Sequence, residues 1–319
     1  MLSLTSNRRQ TRTRWHRAPL RAALALLCIA LSGPAFAAKS SQATYASPEQ
    51  AVEGLVAAIR ASNTGDLLKV LGPDSKSLVS SGDPVADSNT REKFLDEYRD
   101  ANKIVKQGDN KAILVIGQDE WPFPIPVVKS GASWHFDTKA GKEEILNRRI
   151  GANELGAIEV CEAYVDAQRD YATKDRNNDG FIEYAQKFLS SPGKHDGLYW
   201  PAASGEEESP MGPLIVSAQA QGYRGKQGQR TPYRGYYYKI LTGQGTHAPG
   251  GALDYVIRKH MIGGFALVAY PAQYGASGIM TFIINHDDVV YQKDLGPNTA
   301  SIADRMKLFD PGPGWTKVP

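Results

Sequence analysis

The sequence predicts an α+β protein in two parts, and three observations carry that expectation. Apolar residues recur at helical spacing through residues 47–100, the period shortens to two between 112 and 137, and a second helical pattern at 153–174 precedes strand and turn signals. With 319 residues the chain has room for about two domains of ~100–200 residues each. A composition that is 41% apolar and 22% charged excludes a wholly disordered chain and a multi-pass membrane protein.

Residues 1–37 stand apart. Six arginines (Arg8, Arg9, Arg12, Arg14, Arg17 and Arg21) with no acid precede an apolar run at 22–31 and the small-x-small triplet Ala35-Phe36-Ala37. This order reads as a signal peptide cleaved after Ala37, which implies a periplasmic or secreted protein. The apolar run is about half of the ~20 residues that span a bilayer, so no transmembrane segment is expected after cleavage. Losing six arginines turns a formal charge of +3 into −3, and an acidic remainder withdraws the electrostatic support for a nucleic-acid partner. Cys28 leaves with the signal. Cys161 then stands alone, without an internal disulfide, and its place on an apolar stripe predicts burial.

Residues 38–150 form the first expected domain. Ser47, Pro48 and Gln50 make a capping box ahead of Val52, Leu55, Val56 and Ile59, so a helix starts at 48 and ends near Asn63-Thr64-Gly65. Leu67, Leu68, Val70 and Leu71 predict a second short helix, and after a turn-rich stretch at 72–89 the segment TREKFLDEYRDAN predicts a third, with Phe94, Leu95 and Tyr98 as its apolar positions. Strands are expected at 112–116, 125–128 and 133–137, and a closing helix at 139–149. Helices followed by strands ending in the hairpin "SGASWHFDTK" resemble cystatin-like or nuclear-transport-factor-like α+β folds, which implies a helix packed on a curved sheet around a pocket.

Residues 151–319 form the second. A helix at 153–174 places Leu155, Ile158, Cys161, Val165 and Tyr171 near one face. Strands are expected within 233–241, 254–258, 264–270, 279–284 and 289–292, an antiparallel meander, and a short helix at 299–308. The acidic run Glu206-Glu207-Glu208 reads as a solvated loop.

The segments "EYAQKFLSSPGKHDGLYWP", "SPMGPLI", "THAPGGALDYV", "MIGGFALVAYPAQYGASGIMTFIINHDDVVYQKDLGPNT" and "FDPGPGW" closely resemble the exported bacterial family catalogued as domain of unknown function 2950. The later strands also resemble the globular heads of pseudopilin-type proteins. The chain lacks their apolar N-terminal assembly helix, so the likeness implies no filament.

The segment DRNNDGFIEYAQ at 175–186 carries the clearest chemistry. A calcium loop of EF-hand type needs oxygen donors at positions 1, 3 and 5, glycine at 6, a carbonyl at 7 and a bidentate glutamate at 12. Asp175, Asn177, Asp179, Gly180 and the Phe181 carbonyl meet the first five demands. Gln186 stands at position 12 with a neutral amide, so Glu183 at position 9 is the candidate for the missing carboxylate. The alternative is an Asx-rich turn with no cation.

No HExxH, GxSxG or close metal-ligand histidine spacing occurs. A hydrolase of envelope polymers would centre on His247, Asp254 and His260, His247 lying in the loop THAPGG. Tyr236 and Tyr238, on one face of a strand, could instead stack on wall glycans. The favoured expectation is a non-enzymatic exported protein, stiffened by calcium and meeting another envelope protein.

Overall fold

The computed structural model describes residues 42–224 and 230–318. The expected signal peptide and Cys28 lie outside them. Among the described residues no helix is long and apolar enough to cross a membrane.

The architecture is mixed α+β. Helix α1 (Pro48–Arg60) begins at Ser47, whose hydroxyl accepts from the Gln50 amide at 3.2 Å, while the Gln50 side chain reaches back to Ala46 N. Asn63 caps α2 (Thr64–Leu71). A 3-10 turn, Pro73–Ser75, leads into α3 (Lys76–Val79). Helix α4 (Pro84–Asp100) starts well before the expected third helix, because Asp83 caps it and Pro84 fits its first position.

Strand β1 (Asn102–Lys106) pairs antiparallel with β2 (Lys111–Ile116), which also receives β3 (Trp121–Pro122) and β4 (Val127–Ser130). Strand β5 (Ser133–Phe136) closes the sheet beside β4. The exposed, lysine-flanked β1 carries no alternating apolar pattern and was not expected. Leu55, Leu114, Ile116, Ile125, Val127 and Phe136 fill the space between this sheet and α1 and α2, each at most 2% exposed. Burying one such side chain stabilises by about 1.5–3 kcal/mol.

Helix α5 (Thr138–Tyr171) runs unbroken where two helices were expected. Glycine at 151 costs a helix interior only about 1 kcal/mol, and anchors on both sides hold the axis. Arg149 donates to the Ser77 and Leu78 carbonyls, Asn153 donates to Ser277 O at 2.8 Å, and Glu154 accepts from Ile279 N and Met280 N at 3.0 Å. Leu155, expected on the apolar face, is instead 66% exposed.

Helix α6 (Gly212–Ala220) falls where only strand and turn were expected. Its apolar, nearly uncharged sequence hides helical periodicity, but Pro213 suits its start. Then come β6 (Tyr236–Leu241), β7 (Gly243–Gln244), β8 (Leu253–Asp254), β9 (Val256–Ile257), β10 (His260–Met261), β11 (Ala266–Pro271), β12 (Met280–Asn285) and β13 (Tyr291–Asp294). Helix α7 (Thr299–Arg305), β14 (Leu308–Phe309) and β15 (Thr316–Lys317) end the chain. The main sheet has the order β15-β13-β12-β11-β6, all neighbours antiparallel; β14 joins β7 in parallel within a smaller sheet that includes β8.

The second core lies between this main sheet and the C-terminal half of α5, where Ala157, Cys161, Tyr164 and Val165 are sealed against β11 and β12. Burial raises the Cys161 thiol far above its ordinary pKa. Native protein should therefore be inert to a thiol reagent at neutral pH and should react once denatured; rapid labelling of native protein would contradict this packing.

Candidate metal centre and its surroundings

The loop after α5 folds tightly around its own side chains. Asn178 and Gly180 take positive φ of 57° and 91°. Asp175 reaches across the turn to accept from Asp179 N at 3.2 Å and Gly180 N at 2.8 Å, and Asp179 Oδ1 accepts from Phe181 N at 3.0 Å. The sequence encodes this geometry by placing short oxygen-bearing side chains at alternate positions ahead of a glycine.

Beyond the turn, strand β10 supplies what the loop spacing could not reveal. Tyr184 bridges Met261, which brings His260 over the loop. Asp179, Glu183 and His260 each present a donor atom within 4.8 Å of the others. His260 Nδ1 lies 3.2 Å from Glu183 Oε2 and 3.5 Å from Asp179 Oδ2, and its ring stacks on Phe181 at 4.0 Å. Glu183, 9% exposed, also accepts from Met261 N. The Asn177 amide nitrogen bridges Asp179 Oδ2 and Glu183 Oε1, at 2.8 Å from each. Gln186 turns away, its amide donating to the Lys259 carbonyl.

Arg176, position 2 of the loop, was not flagged by the spacing. Its side chain is 3% exposed and lies between the rings of Tyr171 and Trp200, 5.8 Å from each. It donates to Tyr171 O and Asp170 O and pairs with Asp170 and Glu207. Lys174 binds Glu207 as well, and these cations hold that carboxyl below its ordinary pKa. The acidic run 206–208 is an exposed loop, as expected, and Glu207 within it is anchored by these two cations. Trp200 stacks in turn on His195 at 4.1 Å. A polar cleft of about 470 Å³ opens between residues 176–179 and 193–196.

The proposed hydrolase residues are separated by their partners. His247 is exposed, and its ring and backbone N–H bind Asp310, with Nδ1 at 3.1 Å from both carboxylate oxygens. Asp254 is exposed in β8, opposite Gly243. His260 faces Glu183. The structure thus corrects the expected His247–Asp254 pairing: Asp310, in the closing "FDPGPGW", is the carboxylate that orients His247. Together with the β14–β7 pairing, this contact staples the C-terminal segment to the loop at 243–250.

The tyrosine platform is consumed in packing. Tyr236 is 0% exposed and donates to Met280 O at 2.9 Å, while Tyr238 donates to Tyr233 O. Alternation placed the two on one face correctly, but that face is the core.

No curated protein matches the chain, and no solved structure does, so the cystatin-like, nuclear-transport-factor-like and pseudopilin-like resemblances gain no support there. A family match is clear: residues 42–318 fit the family described as "Protein of unknown function (DUF2950)", and the chain belongs to that family.

Proposed function

We propose that this is an exported, non-enzymatic envelope protein whose second half is stiffened by a calcium-binding loop and presents the adjoining polar cleft to another envelope protein. The observation that carries the reading is the convergence of Asp179 and Glu183 on Asn177, a donor set rich in hard oxygen. Asp175 at position 1 and the Phe181 carbonyl at position 7 are the further donors that the loop spacing offers. Turning the Asn177 amide half a revolution exchanges its nitrogen for an oxygen facing the two carboxylates. His260 then serves as a hydrogen-bonding neighbour of Glu183, since imidazole suits zinc or copper better than calcium. Gln186 is outside this set, and Glu183 replaces it.

The cation's role here is to hold the loop against β10. With a dissociation constant near ~10⁻⁴ M, about 1 mM calcium would stabilise the fold by about 1.4 kcal/mol. Calorimetry and thermal melting with calcium or a chelator test this. Calcium is expected to raise the melting temperature, and Asp179→Ala to abolish the increment. A chain that melts identically in both conditions, or that responds to zinc and not calcium, sinks the reading.

A further inference from the structure

A second site lies in the first core, remote in sequence from the metal loop. Helix α4 crosses that core without a single fully buried residue. Beneath it lies a cavity of about 130 Å³, walled by apolar side chains including Leu55, Ile59, Phe94 and Ile145. An apolar cavity of about 150 Å³ lined by such residues stays dry and admits a benzene ring.

The wall also carries charge. Arg91 on α4 and Arg149 on α5 both line the cavity and are half-buried. Backbone carbonyls hold them there: Arg91 donates to Val79 O at 2.7 Å, and Arg149 donates to Ser77 O and Leu78 O. Among the described residues neither guanidinium forms an ion pair. The third charged wall residue, Asp87, uses both carboxylate oxygens to accept from Ser81 N. Two cations and one anion leave the wall with a surplus of one positive charge. Burial weakens the charged form of Arg149, a cost that an incoming anion offsets.

We propose that this cavity binds a small amphiphilic carboxylate, its apolar group beneath α4 and its carboxylate on Arg91 and Arg149. The volume matches an apolar group of about the size of benzene. The surplus charge selects a monoanion over a neutral alcohol of the same shape.

Calorimetric titration of the full chain with hexanoate, and with hexan-1-ol as the uncharged control, tests this. Hexanoate should bind saturably, at least tenfold more tightly than hexan-1-ol. Arg91→Gln should remove that preference, and Ile145→Phe, which narrows the cavity, should weaken both ligands. Should Ile145→Phe fail to fold, Arg91→Gln still decides. No saturable binding of hexanoate, or equal binding of both probes with no effect of Arg91→Gln, overturns the proposal. The titration should read the same in calcium and in chelator, so its failure is distinguishable from failure of the metal loop.

Discussion

Replacing Asp83 with alanine should cost about 3–5 kcal/mol, from a lost helix cap at about 1 kcal/mol and two buried donors left unpaired at about 1–3 kcal/mol each. Asp83 is 0% exposed. Its Oδ1 caps α4 by accepting from Val85 N and Ala86 N, and its Oδ2 accepts from Tyr223 Oη and Gly235 N, both at 2.9 Å. Burial and the neighbouring carboxylate raise the Tyr223 pKa, so the phenol remains a donor across neutral pH. Alanine would strand these donors in a dry interior. Asparagine keeps the oxygen for the cap but presents N–H to the Gly235 N–H, so Asp83→Asn should lose about half as much. Denaturant unfolding measures both losses; a cost below about 1 kcal/mol for alanine would show that water or a shifted partner satisfies the donors.

Arg176→Ala should cost about 2–4 kcal/mol, chiefly through lost packing. The magnitude follows from an asymmetry. Arg176 is almost sealed between Tyr171 and Trp200, whereas the side chains of its partners Asp170 and Glu207 are 56% and 36% exposed. Removing the guanidinium therefore opens a gap between two rings without leaving a carboxylate buried and alone. Arg176→Lys should recover less than half of the loss, because an ammonium cannot stack as a plane between two aromatic faces. Equal stability of the lysine variant and wild type would refute the stacking argument.

The sequence made local features legible where neighbours in the chain suffice. Ser47, Pro48 and Gln50 announce α1, and strand alternation finds β2, β5, β11 and β12 to within one or two residues at most ends. The loop at 175–186 was readable for the same reason: Asp175, Asn177, Asp179 and Gly180 satisfy one another within a single turn. What failed depends on distant partners. Asp310 reaches His247 across 63 residues, His260 reaches Glu183 across 77, and Gly235 reaches Asp83 across 152. No local period encodes such meetings. Leu155 misled for a related reason: helical spacing proposes an apolar face, but the neighbouring sheet decides how far that face is covered.

Helix α5 has a consequence for the order in which the fold can be assembled. Its first half completes the wall of the early core by Arg149, when most of the later strands are still to come. At 1.5 Å per residue its 34 residues extend about 51 Å, and the second half carries the bare stripe of Ala157, Cys161, Tyr164 and Val165. The strands that cover this stripe, β11 and β12, arrive only after residue 265. A chain emerging from its N-terminus thus passes through an interval with one finished core and one sticky, unclad helix face. Over that interval the nascent molecule is at its most vulnerable to joining another copy of itself.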